Sequence, residues 1–549
     1  MILEYTTNAC REKLWQASFI FAFNMDATFL TPVVWCILIT ETVERFAYFG
    51  FRAVLVLYFI HSLNFSEETA IALYAYVTSL AYASPMLGAL LADAYLGRYK
   101  TILCFGWIYA VGLSILTVGA FVEDNLERKR VLSFCGLFFF CLGTGGIKPC
   151  VSSFGADQVA SMEKGPTEAT TDDESAPSSN SERVRAFFAS FYFCINLGAV
   201  TSISVIPIVK HHFGFGAAFL LPTIFIIVAM LTFLSKRKDY VHHIPGQDGK
   251  SLSTTFALCI WVVRKELART WMCRVFPSVK PKRSPISGLD GEEETNQQLS
   301  DSKQALRVLP IMFMFPVFWM LYDQQSSVWT LQATRMKLHG LEAEQLIVVN
   351  PVQIMLFIPL FDRLIYPALE AQGVYMSHLT RMRWGMFLTT VAFSTSGFLE
   401  LWIQSSEGHS VSVFWQLPQI TILAVAEIFV SVTGLEFAYA MSPERLKAFI
   451  MGIYLVMTAI GNFFGGLLYS SVFQELNRAI VMQVCAGLML LNLVVFCWVS
   501  KGWEKRRVHD AGVEMELAAL RASKEASLNI GEYSSLHLTT DYEVDCERH

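Results

Sequence analysis

Long apolar runs separated by short polar segments recur along this chain, and twelve of them can be counted. The first six cover about residues 32–60, 69–92, 101–122, 131–153, 186–208 and 214–234. The second six cover about 306–330, 345–369, 379–403, 413–440, 447–473 and 478–500. At 1.5 Å rise per residue, helices of such length cross a hydrocarbon core of roughly 30 Å. The pattern predicts an all-α integral membrane protein with twelve transmembrane helices in two six-helix bundles. A polar stretch, Ser235–Lys303, lies between the two sets and carries Lys236-Arg-Lys238, Lys280-Pro-Lys-Arg283 and Glu292-Glu-Glu294. The expected organisation is a lead-in (1–31), a first bundle (32–234), a cytoplasmic linker (235–305), a second bundle (306–501) and a cytoplasmic tail (502–549).

Charge interrupts this pattern most sharply in the first span. The stretch Thr40-Glu-Thr-Val-Glu-Arg-Phe-Ala-Tyr-Phe-Gly50 puts Glu41, Glu44 and Arg45 inside an apolar helix. Arg45 falls roughly 20 Å along that helix from Pro32, close to mid-membrane. A charge at that depth costs about 2.5–3.5 kcal/mol on insertion scales, so such residues face protein or water and carry function by default. At about 100° per residue, Glu41, Glu44, Arg45, Tyr48 and Arg52 share one face. A self-contained Glu–Arg tie between helices is the plainer reading; ionisable groups lining a central cavity is the sharper one.

Composition agrees with the membrane assignment: 54% of residues are hydrophobic and only 16% charged, against about 25% charged in soluble domains. The net charge of −5 gives no argument for nucleic acid. Twelve cysteines are scattered without a CxxC or a Cys/His cluster, so neither a zinc site nor a disulfide framework is expected. No cofactor is implied. Residues Met1–Thr31 lack a signal-peptide pattern, Asn24 and Asp26 interrupting a short apolar stretch, and read as a cytosolic lead-in. Lysine and arginine gather in one set of loops (Arg98 and Lys100, Arg381 and Arg383, Arg445 and Lys447, Lys505-Arg-Arg507), with Arg128-Lys-Arg130 an exception on the other side. Both termini are therefore expected in the cytoplasm, with the plasma membrane the expected address. The sequon Asn64-Phe-Ser66 then falls outside, where it could accept an N-glycan. Glu163–Glu182 reads as a disordered acidic insertion, and Ser253–Met272 as an amphipathic surface helix or an ordinary linker helix.

Further polar groups sit within the spans. Lys148 lies in Gly143-Thr-Gly-Gly-Ile-Lys-Pro149, which lacks the GxxxxGK[ST] spacing of a phosphate loop; its small residues suit close helix packing instead. The fifth span offers Tyr192 and Asn196, the seventh Trp319, Asp323 and Gln325 with Arg307 near its cytoplasmic end, the eighth Asn350 and Asp362, and the tenth Glu427 and Glu436. Contributions from both halves suit a midplane site between them. A transporter and a ligand-sensing membrane receptor both fit. An enzyme does not, because none of the 11 histidines falls clearly mid-span.

These residues resemble the proton-dependent oligopeptide transporter family of the major facilitator superfamily. Glu41-Thr-Val-Glu44-Arg45-Phe-Ala-Tyr48-Phe-Gly50 is similar to its ExxER signature, and Asp93-Ala-Tyr-Leu-Gly97-Arg98 to the superfamily loop between helices two and three. Gly145-Gly-Ile-Lys148-Pro149 with Phe154 and Asp157-Gln158, and Phe191-Tyr192-Phe-Cys-Ile-Asn196-Leu-Gly198, resemble the fourth- and fifth-helix patterns. Phe318-Trp319-Met-Leu-Tyr-Asp323-Gln324-Gln325 with Trp329-Thr-Leu-Gln-Ala333 resembles the animal-type carriers, and Glu427, Ser431 and Gly434-Leu-Glu436-Phe the tenth helix. The resemblance implies a major facilitator fold, alternating access and proton-driven symport of di- and tripeptides. Arg45 and Lys148 would attract the peptide carboxylate, while Asn196, Asn350 and Glu427 hold its amino end. Tyr48, Tyr192 and Trp319 would complete the substrate site. Glu41, Glu44 and Arg45 would couple the proton, Arg52 with Asp323 would gate the outer side, and Arg307 with Asp362 the inner. Ala75 stands where the mammalian carriers have a histidine, Phe49 replaces a tyrosine, and Tyr454 replaces a frequent tryptophan. Only Gln404–Ser412 joins helices nine and ten. Some relatives carry nitrate, histidine or plant metabolites, and those substrates, like a peptide-sensing receptor, remain alternatives.

Overall fold

The structure is a computed structural model and describes residues 31–161, 176–241, 304, 307–406, 408–443 and 447–506. The lead-in, the postulated amphipathic segment and the tail beyond 506 lie outside the described residues. The chain divides into two compact units, Met1–Leu493 and Val494–His549.

Twelve helices run through the described residues, which contain no β-strand. In the first half, α1 is Pro32–His61, α2 Glu67–Leu91, α3 Arg98–Phe121 and α4 Leu126–Ser161. The helical stretch Ala176–Ser235 is broken at Gly214, whose φ of 79° only glycine adopts without strain, giving α5 (176–213) and α6 (215–235). In the second half, α7 is an interrupted helix whose main parts are Phe315–Tyr322 and Val328–Ala333, and α8 is Ala343–Ala371. The remainder are α9 (His378–Ser405), α10 (Val413–Met441), α11 (Lys447–Ser470) and α12 (Arg478–Arg506). Thr31 and Ser66 start α1 and α2 by accepting the amides of Val34 and Thr69, and Pro32 is preset for a first helical turn.

Length and hydropathy alone pick out nine spans among the described residues, one of them containing both α5 and α6. The two helices that this criterion misses are the charged α1 and the interrupted α7. Both misses have a chemical cause, since charge and broken backbone are tolerated at membrane depth only where protein or a cavity surrounds them.

One expectation is corrected. Residues 176–182, placed in the disordered insertion, are helical and form the first turns of α5; the rest of that insertion, 163–175, lies outside the described residues. Proline is preset for a first helical turn, so a polar composition rich in Ser and Pro does not preclude a helix start.

Within the first half α1 packs along α5, α3 along α4, and α2 against α4; in the second, α9 packs along α10 and α7 along α11. The halves meet where α2 lies against α11 and where α5 meets the first turns of α8. Outward-facing surfaces carry exposed Val118, Phe138, Val228, Leu231, Phe398 and Leu401, as expected of helices whose solvent is lipid. Trp402 and Trp415 meet edge-on at 5.2 Å where α9 and α10 end on one side of the membrane, the position of an interfacial aromatic belt.

Candidate functional site

The face of α1 read from the sequence is buried along its length. Glu41, Glu44, Arg45, Tyr48 and Arg52 are each less than 9% exposed. Arg45 holds both glutamates at once: its Nε lies 3.2 Å from Glu41 Oε1, one turn back, and its Nη2 pairs with Glu44 Oε2. The guanidinium carbon also lies 5.5 Å from the centroid of the Tyr48 ring. One cation is thus shared by two carboxylates, leaving a net negative charge in the protein interior. Such a cluster gains from taking up a proton or a second cation.

Lys148 of α4 is a separate cation, held on aromatic faces. Its Nζ stands 4.1 Å from the ring centroids of both Tyr48 and Tyr82, and no carboxylate among the described residues pairs with it. Aromatic faces stabilise a cation without neutralising it. The ammonium is therefore left able to receive an anion. Lys148 is half-buried, surrounded by protein yet touching open space.

Glu427 is the matching group in the second half. Tyr322 of α7 and Asn350 of α8 approach its carboxylate, while its Oε2 and the Asn350 amide nitrogen, both buried, have no hydrogen-bond partner among the described residues. Glu427 ends the regular part of α10 and is followed by a π turn, Ile428–Val432. Wide turns of that kind recur at functional sites because they re-aim side chains. Trp319 has an indole N–H with no hydrogen-bond partner among the described residues and meets Tyr322 and Tyr454 edge-on. Tyr454 thereby occupies the aromatic position noted as a departure. Asn196 donates 2.9 Å to the Tyr192 carbonyl. Lys148 and Glu427 form no ion pair with each other. Each presents its charge within its own half.

Arg52 and Asp323 do meet. Arg52 Nη2 lies 2.7 Å from Asp323 Oδ1, its Nε donates 2.9 Å to Tyr74, and Asn462 of α11 donates 2.6 Å to Asp323 Oδ2. Asp323 reaches this position because α7 changes there to a 3-10 turn, Asp323–Ser326. Further contacts join the halves on the same side: Lys210 of α5 lies 2.6 Å from Glu344 and 3.4 Å from Glu342, and Arg478 pairs with Glu67. Sequence reading missed Lys210, Glu342, Glu344 and Asn462. Lys210 and both glutamates sit at helix ends, where charge gives no signal. Arg307 is exposed before the main part of α7, and Asp362 is half-buried in a π turn of α8, Phe361–Ile365. Asn64 is exposed in the turn between α1 and α2.

Residues 99–483 match the profile of the POT family. The chain is 34% identical over 424 residues to Solute carrier family 15 member 2 of Homo sapiens, a match covering 75% of this chain and 55% of that protein. It is 36% identical over 379 residues to Peptide transporter family 1 of Drosophila melanogaster, covering 66% of this chain and 47% of the other. The chain belongs to the POT family. It spans about half the length of these curated relatives. Among solved structures, the in meso crystal structure of the POT family transporter PepTSo superposes with a TM-score of 0.71 at 26% identity, over 86% of this chain and 98% of that one. An auto-inhibited POT family peptide transporter gives 0.69 at 26%, over 86% and 97%. The POT fold is the major facilitator fold, all-α with two six-helix bundles, and this integral, multi-pass chain has it.

Proposed function

We propose that this POT chain moves di- and tripeptides with protons across its membrane by alternating access. The observation that carries this reading is the separation of Lys148 and Glu427: one cation and one carboxylate, each without an ionic partner among the described residues and each on its own half. A zwitterionic peptide supplies both missing partners. Its carboxylate meets Lys148 and Arg45, while its ammonium meets Glu427 with Asn196 and Asn350. Tyr48, Tyr192 and Trp319 line the space between. Such ends fit two or three residues, because each added residue lengthens the ligand while the two charges move only within limits.

Glu41, Glu44 and Arg45 couple the proton: protonating Glu44 frees Arg45 for the incoming carboxylate. Arg52–Asp323 closes the outer side and Arg307–Asp362 the inner. The relatives named as peptide transporters favour this substrate class. In this reading both termini are cytoplasmic, from the lysine and arginine loops, the membrane is the plasma membrane, and Asn64 accepts a glycan on its outer face.

The test is uptake of labelled dipeptide into proteoliposomes carrying an imposed proton gradient. Accumulation should follow the inward gradient and collapse with a protonophore. Binding without accumulation would instead make the chain a sensor. Accumulation of nitrate or free histidine, uninhibited by dipeptide, would move the substrate class.

A further inference from the structure

Three glycines of Gly143-Thr-Gly-Gly146 press α4 against its neighbours. A Cβ at Gly143 would lie 2.5 Å from the Tyr109 backbone nitrogen of α3, at Gly145 2.5 Å from Ser84 Cβ of α2, and at Gly146 2.1 Å from Phe105 Cγ of α3. The remaining residue of the run, Thr144, carries a hydroxyl, and it is aimed at α1. Its Oγ1 donates 3.3 Å to Glu44 Oε1, and both residues are fully buried. Glu44 therefore has one oxygen on Arg45 and the other on Thr144. The two partners differ in kind. A guanidinium only donates, whereas a hydroxyl donates to a carboxylate and, after rotation, accepts from a carboxylic acid. Thr144 can keep a hydrogen bond to its Glu44 oxygen whichever oxygen carries the proton; Arg45 can donate only to an oxygen that stays unprotonated.

We propose that Thr144 is a positioning residue for proton coupling, holding the ionised Glu44 carboxylate and setting the pH at which this carrier takes up its proton. The proposal rests on the reading that Glu44 is a coupling group. The other groups facing this site are Glu41 and Arg45 on α1 itself, Tyr109 on α3, Cys141 and Lys148 on α4, and Cys194 of α5 beside Glu41. None of them besides Arg45 donates a hydrogen bond or ion pair to Glu44 among the described contacts. A hydrogen bond to a charged acceptor is stronger than one to its neutral form, so losing the hydroxyl penalises the ionised state more.

The experiment measures gradient-driven dipeptide uptake in proteoliposomes against external pH. Thr144→Val, nearly isosteric, should move half-maximal uptake to higher pH by about one unit. The maximal rate should fall a few-fold as proton release slows. Thr144→Ala, which lacks the hydroxyl without adding bulk, should give the same displacement if the valine variant does not fold. Thr144→Ser should keep the wild-type profile. In Glu44→Gln, which should exchange peptide without accumulating it, Thr144→Val should leave the pH profile of exchange unchanged. A lower rate in Thr144→Val and Thr144→Ala with no displacement along pH would reduce Thr144 to a helix contact and overturn the proposal. Full accumulation by Glu44→Gln would overturn it together with the role of Glu44.

Discussion

Arg45 shows how much one side chain decides here. Held by Glu41 and Glu44, it would, in the proposed role, meet a substrate carboxylate with its full charge only once one glutamate is neutralised. Glu44→Gln makes that neutralisation permanent. We expect gradient-driven accumulation in this variant to drop at least tenfold, while exchange of peptide between the two sides persists; accumulation at the wild-type level would remove Glu44 from the coupling step. Glu427 offers a second test at this scale. Acetylating the amino end of a dipeptide removes the ammonium that Glu427, near Tyr322 and Asn350, would receive. In wild type the acetylated peptide should inhibit uptake of the free dipeptide much more weakly than an unmodified competitor. In Glu427→Gln that difference should shrink strongly, and a penalty of equal size in both proteins would show that the ammonium binds elsewhere.

Helices deliver these residues only because their backbones permit it. Gly88 of α2 faces the Gly145 carbonyl so closely that an added Cβ would lie 2.3 Å from that oxygen. Backbone atoms cannot rotate aside as a side chain can. Gly88→Val should force α2 and α4 apart at a cost of about 1–3 kcal/mol, read as a lower thermal midpoint in detergent and poorer recovery of monodisperse protein. An unchanged midpoint would mean that the two helices separate freely. The 3-10 turn of α7 works differently, turning Asp323 toward Arg52 of the opposite half while Asn462 holds its second oxygen. Removing one partner of such a buried pair leaves the other charge uncompensated. If the pair is a gate, Asp323→Asn should increase reaction of a cysteine reporter placed between the halves on the Arg52 side several-fold; a static tie would leave labelling unchanged.

Across the first compact unit, contacts between the halves gather on the side of the α1–α2 turn. Arg478 with Glu67, Lys210 with Glu342 and Glu344, and Arg52 with Asp323 join the halves there. Tyr76 of α2 likewise hydrogen-bonds Ser470 of α11 at 3.0 Å. These links are unequal. Arg478 and Glu67 are partly exposed, and such pairs contribute about 0–1 kcal/mol. Glu344 is fully buried, so Lys210 is its main neutralising group. Lys210→Ala should therefore open this side of the molecule far more than Arg478→Ala in the same cysteine-labelling assay. Equal effects would mean that burial does not set the strength of this seal.

The chain by itself determined the number of spans, their two sets of six and the charged face of α1. Each is a local property, fixed by the length of an apolar run or by helical periodicity, and each needs no knowledge of neighbours. Arg52–Asp323 was legible too, but through the family resemblance, since 271 residues separate the partners and no periodicity connects them. What only the tertiary structure decided is which groups share a carboxylate and which stand apart. Lys148 lies on Tyr48 and Tyr82, not on Glu427, because α1, α2 and α4 close around it within one half. Asn462 and Thr144 carry residue types common as helix filler, and nothing in their own segments marks them. They acquire chemistry by proximity, Thr144 because three glycines let α4 approach close enough to place a hydroxyl on a buried carboxylate of α1.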